Sequence, residues 1–356
     1  MSKDVILDKY ARLYEIPNQL SLLGHDIECF CLSYQSHNEG RWDESNNSRS
    51  LKWYSRSYVG LSKPKILFYP FYLLNQISKN KPDLIIAASD IPHIVIGAWI
   101  AKKLNLPFVA DLYDNFESYG QAKIPFLSTL FHRALSSAKL ISTTSFSLTE
   151  KISKEHPEVP TVYPMPSVID KELFKPGDKL AARKHLNLPL NGHFIGTAGG
   201  LTNVKGINDL FHAWEIIKKQ NDQAYLILAG PTEKITPLPQ DDRVIYLGLL
   251  PHYDVVSLFQ ALDVGVLCIP DDEFGRYCFP QKAYEMLATN LPVIGTNIGD
   301  LSRLLNYSFL YEFNNYMELS DKIQLQLIQQ EVSDVTIPDW KLLVTKLDDY
   351  LSNLVT

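Results

Sequence analysis

Short apolar runs alternate with longer segments of helical periodicity along most of the chain. Runs that are apolar throughout are typical of parallel strands covered on both faces, and the segments between them predict the covering helices. The alternation predicts an α/β chain with parallel sheets. The predicted strands cover residues 5–7, 27–32, 83–89, 107–113, 139–145, 194–199, 224–230, 244–249, 263–269 and 292–296, with helices at 91–105, 126–137 and 339–352.

The start of the chain predicts a loop at residues 8–12 and then a helix that ends near Leu23. Pro17 is expected in the first turn of this helix, because a proline farther inside costs about 3 kcal/mol. Residues 33–50 are polar and predict a loop.

A strand, a polar loop, a helix and a second strand are predicted over residues 263–296. Pro280 suits the start of the helix, and Asn290 suits the left-handed position that ends it. The loop leaves the carboxyl end of a parallel strand, where open α/β sheets bind ligands. Lys282 and Glu285 share one helix face. A lysine in the first turn of a helix is destabilising because its charge opposes the helix dipole, whereas an anion bound at this helix end would reverse that penalty. Lys282 therefore indicates an anion-binding site. The alternative is that Lys282 and Glu285 form an ordinary ion pair at the surface.

Length and charge narrow the class of protein. The 356 residues predict two domains of ordinary size, and the net charge of −6 excludes a generally basic nucleic-acid binder. Residues 1–168 hold 18 Lys/Arg against 16 Asp/Glu, and residues 169–356 hold 16 against 24. The four cysteines have no zinc-site spacing and favour a reduced, cytosolic protein. The sequence shows no signal peptide and no apolar run long enough to cross a bilayer.

Residues 51–82 are basic and aromatic and contain no acidic residue. Such a segment in an acidic protein suggests contact with an anionic membrane or a lipid-linked substrate. The alternative is an ordinary helix that packs its aromatic side chains on the first sheet.

The stretch FPQKAYEMLATNLPVIGT resembles the donor-site helix of GT-B glycosyltransferases of the family 4-like branch, which reads F-P-x-K-x-x-E. Two further stretches resemble the same family: the opening of the chain and the connector VYPMPSVIDKELFKP. The resemblance implies two Rossmann-like parallel-sheet domains that face each other across a cleft. They would comprise residues 1–168 on the acceptor side and 169–337 on the donor side, with a helix at 338–356 that crosses back to the first domain.

The resemblance also assigns the donor side. Gly199-Gly200 and Lys205 occupy the family's G-R-L-x(4)-K-G segment, in which an arginine and a lysine neutralise the diphosphate. Gly200 replaces the arginine, so Lys282, or more weakly Arg276, would supply the missing charge. Glu285 would bind the ribose, while Tyr277 stands where relatives carry a first glutamate. The remaining donor-binding residues by resemblance are Gly248, Leu249, Phe279 and Pro280.

On the acceptor side, the family's glycine-rich first loop is absent, and Arg12 lies in the segment that replaces it. Arg12 is therefore a candidate for binding a phosphate-bearing acceptor. The alternative is that Arg12 is a solvated arginine at the start of a helix. Asp90 and Asp114 lie at the ends of predicted strands. Tyr113 replaces the histidine of the family's H-D pair. Asp114 would contact sugar hydroxyls or the attacking acceptor, or else cap the next helix.

The expected function is therefore transfer of a sugar, with retention of configuration, from a UDP- or GDP-linked donor to a hydroxyl of a lipid-linked or cell-surface glycan. Lys205, Lys282 and Asp114 are the predicted catalytic residues, and no cofactor or metal is expected. A cytoplasmic protein at the inner face of the plasma membrane fits this function. A nucleotide-sugar 2-epimerase and a catalytically silent binding partner are the alternatives.

Overall fold

The computed structural model describes residues 4–9, 11–33, 39–46, 48–58 and 65–355. The chain divides into two compact units, Met1–Ser167 with Pro338–Thr356 and Val168–Ile337. The elements up to the division are α1 (Ala11–Leu22), β1 (Asp26–Ser33), β2 (Gly40–Asp43), β3 (Ser50–Ser57), α2 (Tyr69–Asn80), β4 (Ile85–Ala87), α3 (Ile91–Leu104), β5 (Phe108–Leu112), α4 (Leu127–Ser136), β6 (Leu140–Thr143), α5 (Phe146–Glu155) and β7 (Val162–Pro164).

The second unit and the closing helix follow the predicted alternation. Their elements are α6 (Lys179–His185), β8 (His193–Ala198), α7 (Asn208–Gln220), β9 (Ala224–Ala229), β10 (Val244–Tyr246), α8 (His252–Ala261), β11 (Val264–Leu267), α9 (Gln281–Ala288), β12 (Val293–Thr296), α10 (Leu301–Leu304), β13 (Leu310–Tyr311), α11 (Tyr316–Gln329) and α12 (Trp340–Val355).

Two sheets are described in the first unit. One is parallel, in the order β4-β5-β6-β7, and the other has the order β1-β3-β2, with β2 antiparallel to β3. All residues of β5 are buried, and α4 and α5 contribute Phe131, Leu135 and Ile152 to the buried core. The helix α12 belongs to this unit, where Asp348 accepts a hydrogen bond from His25 at 2.7 Å and Tyr350 packs on Tyr163.

The predicted strand at residues 5–7 is wrong, because these residues form a turn. The Asp4 carboxylate accepts hydrogen bonds from the backbone N–H groups of Ile6 and Leu7, both at 2.8 Å, and Asp8 accepts one from the Asp4 N–H. Such local bonds satisfy the N–H groups that a strand would have paired with a neighbour. Pro17 lies inside α1 rather than in its first turn.

Two other predictions for this unit need correction. The strand β2 lies within the predicted loop at 33–50, of which residues 34–38 and 47 are outside the described residues. Residues 51–82 form β3 and α2 rather than one segment, and residues 59–64, with Lys63, are outside the described residues. Trp53 and Tyr69 are buried, whereas Leu67, Phe68 and Phe71 are exposed. Among the described residues, no helix has the length and apolar character that a bilayer span requires.

The second unit has a six-stranded parallel sheet in the order β10-β9-β8-β11-β12-β13. Neighbouring residues of β8 point to opposite faces of this sheet, so that Phe194 joins a core with α8 and α9 and Ile195 joins a core with α7 and α11. Asn290 takes the left-handed conformation after α9, with φ 62°, as predicted.

Candidate active site

The sheet of the second unit reverses its order between β8 and β11. The chain goes from β8 to β9 and β10 on one side, and from β11 to β12 and β13 on the other. The loops after β8 and β11 therefore diverge from adjacent strands and leave a crevice at the carboxyl edge. Such a point is where open α/β sheets bind their ligands.

Gly199 begins the loop after β8 with φ 136°, a conformation that only glycine adopts readily. A Cβ atom built on Gly199 would lie 2.8 Å from Cε of Lys282. The lysine stem therefore lies directly across the Gly199 backbone. Both residues were predicted for the donor side, and the fold brings them together from positions on β8 and α9.

The first two turns of α9 present a lysine and a buried carboxylate. The Lys282 side chain is 40% exposed, that of Glu285 is 7% exposed, and their Nζ and Oε2 atoms are 3.8 Å apart. Gln281 Nε2 donates to Glu285 Oε1 at 3.1 Å. Pro280 precedes the helix, and the Phe279 ring packs edge-on against Tyr284 of the same helix. The carboxylate is thus held in place by its own helix.

Lys205 reaches the same crevice from the loop that leads into α7. Its Nζ lies 3.9 Å from the ring centroid of Phe274 in the loop after β11. A Cβ atom on Gly200 would lie 3.4 Å from Cγ of Lys205. The stem of Lys205 therefore lies beside Gly200, and the stem of Lys282 lies beside Gly199.

Glycines also join the loops after β8, β9 and β10. The Gly230 N–H donates to the Gly248 carbonyl at 2.8 Å, and a Cβ atom on Gly230 would lie 1.9 Å from the Gly199 carbonyl oxygen. Leu249, beside Gly248, is 73% exposed. The sequence analysis missed Gly230, although a glycine directly after a buried strand was a visible signal.

Two charged side chains of the loop after β11 pair with each other. Arg276 Nε donates to Asp271 Oδ1 at 2.6 Å, so the proposed substitute cation is already paired at the surface. Tyr277 is half-buried in this loop. A cavity of about 370 Å³ lies beside it, lined by Asp271, Arg276, Asn297, Ile298, Gly299, Glu312, Phe313 and Asn314. This lining includes none of Lys205, Lys282 and Glu285.

In the first unit, the predicted acceptor-side residues lie at the ends of the neighbouring strands β4 and β5. Asp90 caps α3 by accepting from the His93 N–H at 2.9 Å. Asp114 accepts from the Asn115 N–H at 2.8 Å and from the Tyr119 hydroxyl. Burial, and then the nearby carboxylates of Asp114 and Asp90, raise the pKa of Tyr113. The Tyr113 phenol is therefore neutral near neutral pH.

Arg12 is buried rather than solvated, at 3% exposure. Its guanidinium donates to Asp111 Oδ1 and Oδ2, both at 3.0 Å from Nε, and to the Met165 carbonyl. Ser142 Oγ donates to the same carboxylate at 2.5 Å. These contacts make Arg12 part of a buried ion pair, and they leave no exposed guanidinium for a phosphate-bearing acceptor.

The sequence analysis also missed His93. Its Nδ1 lies 2.6 Å from Asp90 Oδ1, and its side chain is 16% exposed. The carboxylate of this pair lies near enough to Tyr113, the residue that replaces the family's histidine, to raise the pKa of the phenol. The spacing of Asp90 and His93 across the first turn of a helix was the available signal.

Parts of the sequence match known proteins. Residues 192–329 match the family model of glycosyl transferases group 1. TuaC of Bacillus subtilis, a glycosyltransferase named for teichuronic acid biosynthesis, is 27% identical over 227 residues, which cover 63% of this chain and 55% of TuaC. D-inositol 3-phosphate glycosyltransferase of Stackebrandtia nassauensis is 25% identical over 230 residues, 60% of this chain and 49% of the relative. The alignments thus span about half the length of these relatives.

Solved structures show the fold. Anabaena HepE in complex with UDP-glucose has a TM-score of 0.67 at 19% identity, covering 85% of this chain and 86% of HepE. Sucrose-phosphate synthase of Thermosynechococcus elongatus has a TM-score of 0.66 at 16% identity, covering 97% and 88%. The chain has the GT-B fold, and the resemblance to GT-B glycosyltransferases is confirmed.

Proposed function

We propose that this GT-B chain is a glycosyltransferase that moves a sugar, with retention of configuration, from a UDP- or GDP-linked donor to a hydroxyl of a glycan. The observation that carries the proposal is the position of Lys282 across Gly199, at the point where the sheet order reverses. The group 1 family match covers this part of the chain. HepE, which shares the fold, binds UDP-glucose, and this supports a nucleotide-sugar donor.

The charges at this site suit a diphosphate leaving group. Breaking the bond between the sugar and the phosphate leaves negative charge on the diphosphate, and fixed cations stabilise it without reorganisation. Lys205 and Lys282 would bind the diphosphate, and the bare Gly199-Gly200 backbone allows close approach. This chemistry requires neither a metal nor a cofactor.

Glu285 would bind the ribose. Its carboxylate is 7% exposed and already accepts from Gln281, which fixes its orientation. Carboxylate oxygens can accept further hydrogen bonds from hydroxyl groups. The loop at Gly248 and Leu249, held to Gly230, would contact the base.

For the acceptor we favour a lipid-linked saccharide of cell-surface polysaccharide synthesis, at the inner face of the plasma membrane. Leu67, Phe68 and Phe71 are 75%, 69% and 61% exposed at the start of α2 and suit contact with a lipid surface. Lys65 precedes them and adds positive charge, which anionic lipids attract. The name of TuaC, which refers to teichuronic acid, supports a polysaccharide product.

A panel of UDP- and GDP-sugars, each with and without saccharide acceptors and in the presence of EDTA, tests the proposal. Nucleotide release that depends on acceptor is the expected result. Isomerisation of the donor sugar would instead identify an epimerase. Donor binding without turnover would identify a silent partner, the second candidate, which the departures at Gly200, Tyr277 and Tyr113 favour.

A further inference from the structure

Two histidines that are not among the residues proposed for transfer meet in the first unit. His132 lies on α4, and His156 directly follows α5. Their rings stack with centroids 5.2 Å apart, and His132 Nδ1 lies 3.1 Å from His156 Nε2. The His156 side chain is 4% exposed, so this contact is part of the folded interior.

The outer nitrogen of each ring faces an acceptor. His132 Nε2 lies 2.9 Å from Glu117 Oε1. His156 Nδ1 lies 3.1 Å from Ser136 Oγ and 3.2 Å from Glu158 Oε1. A neutral imidazole carries one N–H, and a carboxylate partner favours that N–H on the outer nitrogen. The two inner nitrogens then face each other with lone pairs, an arrangement that a cation between them would stabilise.

A third ligand and the local charge favour a metal ion over a proton. One ring nitrogen from each histidine and one carboxylate oxygen of Glu155 all lie within 4.8 Å of one another. Three glutamates (Glu117, Glu155 and Glu158) surround the pair, while one cation, Lys151, contacts two of them. With neutral imidazoles, these groups sum to a charge of about −2, which a divalent ion would balance.

We propose that His132, His156 and Glu155 bind a divalent transition-metal ion of the Zn²⁺ class, with water as a fourth ligand. Zn–N bonds of about 2.0–2.1 Å in tetrahedral geometry place two nitrogens roughly 3.3 Å apart, close to the distance observed here. Contact of the outer nitrogens with carboxylates is the usual second shell of zinc-bound histidines. The His132 and Glu155 side chains are 37% and 38% exposed, which gives the ion a path to the site.

This ion would have a structural role. His156 lies at the C-terminal end of α5. The residues proposed for transfer follow the carboxyl ends of strands, which is where the N-terminal ends of the helices lie. A helix of ten residues spans about 15 Å. Bound metal would join α4 to the end of α5, and the proposal for sugar transfer does not depend on it.

The test is zinc binding by the full chain after removal of metal with a chelator. We expect about one Zn²⁺ per chain by competition with a chromophoric chelator, and a melting temperature that rises with zinc concentration. Visible absorption of the Co²⁺-loaded protein should show tetrahedral coordination. His132→Gln should weaken zinc binding about tenfold or more.

The matched control is His25→Gln, because His25 also pairs with one carboxylate, Asp348, but contacts no second imidazole within the described part of the chain. It should bind zinc as the wild-type chain does. Glu155→Gln, at an exposed position, provides a second variant if His132→Gln fails to fold. Absence of zinc binding by the wild-type chain, or equal affinity in the wild-type chain and both ligand variants, would overturn the proposal.

Discussion

Replacing Lys282 with methionine tests the proposed donor site most directly. Methionine keeps an aliphatic stem across Gly199 and removes only the ammonium group. Two unit charges about 4 Å apart interact by about 4 kcal/mol at an effective dielectric constant of about 20. The lysine side chain is 40% exposed, and water screens part of this interaction.

We therefore expect a loss of about 3 kcal/mol in transition-state stabilisation, in the range that removal of one oxyanion-stabilising donor produces. At about 1.4 kcal/mol per factor of ten, kcat/KM should fall about 100-fold. Stability should change little, because the substitution removes an unfavourable helix-dipole interaction of about 0.3–1 kcal/mol and one weak ion pair.

The assay compares kcat/KM, UDP affinity by calorimetry and the melting temperature of the ligand-free chain. Lys175→Met is the matched control, because Lys175 also lies three residues from a glutamate, with Nζ and the Glu172 carboxylate 3.9 Å apart. It should leave all three quantities unchanged. If Lys282→Met retained kcat/KM within about threefold of the wild-type value, well short of the loss expected for a removed donor, the assignment of Lys282 would be refuted.

Three further substitutions test the glycines next to Lys282 and the buried ion pair of Arg12. Gly199→Ala should weaken UDP binding at least tenfold, because its Cβ displaces the Lys282 stem and its φ of 136° is strained, whereas Gly24→Ala, at a φ of 102° with no atom within 4 Å of the added Cβ, should bind UDP normally in the same titration. Gly200→Arg should restore most of the UDP affinity that Lys282→Met loses; no recovery would show that the two positions do not serve the same phosphate. Asp111→Ala should lower the free energy of unfolding in urea by about 3–5 kcal/mol, because it leaves the Arg12 guanidinium buried without its partner; a loss below about 1 kcal/mol would contradict the buried pair.

The parallel strands and the helix α9 could be predicted because each depends on local sequence. Asn290 ends the helix as predicted, since asparagine tolerates the left-handed conformation. Lys282 and Glu285 share a face because their spacing fixes it. The structure adds that the lysine stem crosses Gly199, which is 83 residues away in sequence and which no periodicity could have indicated.

Contacts distant in sequence explain the failures. Arg12 follows a short apolar run and was expected at the surface or at the acceptor, but Asp111 and Met165 enclose its guanidinium. The run itself forms a turn because Asp4 binds the N–H groups of Ile6 and Leu7. The hydrophobicity pattern carries no information about these side-chain hydrogen bonds, and it therefore predicted a strand at residues 5–7.

The contacts around each departure from the family motif are different. Where Gly200 replaces an arginine, the fold places the Lys282 stem over the adjacent glycine, and Lys282 is the cation that we propose in place of that arginine. Where Tyr113 replaces a histidine, His93 is paired with Asp90 beside it. Where Tyr277 replaces a first glutamate, the remaining Glu285 carboxylate is held by its own helix, and Arg276 is paired with Asp271. We infer that binding of the nucleotide diphosphate follows the relatives while recognition of the sugar does not. Affinity for UDP should therefore resemble that of the glycosyltransferases that the chain resembles, and the preferred donor sugar should be the property that distinguishes this chain.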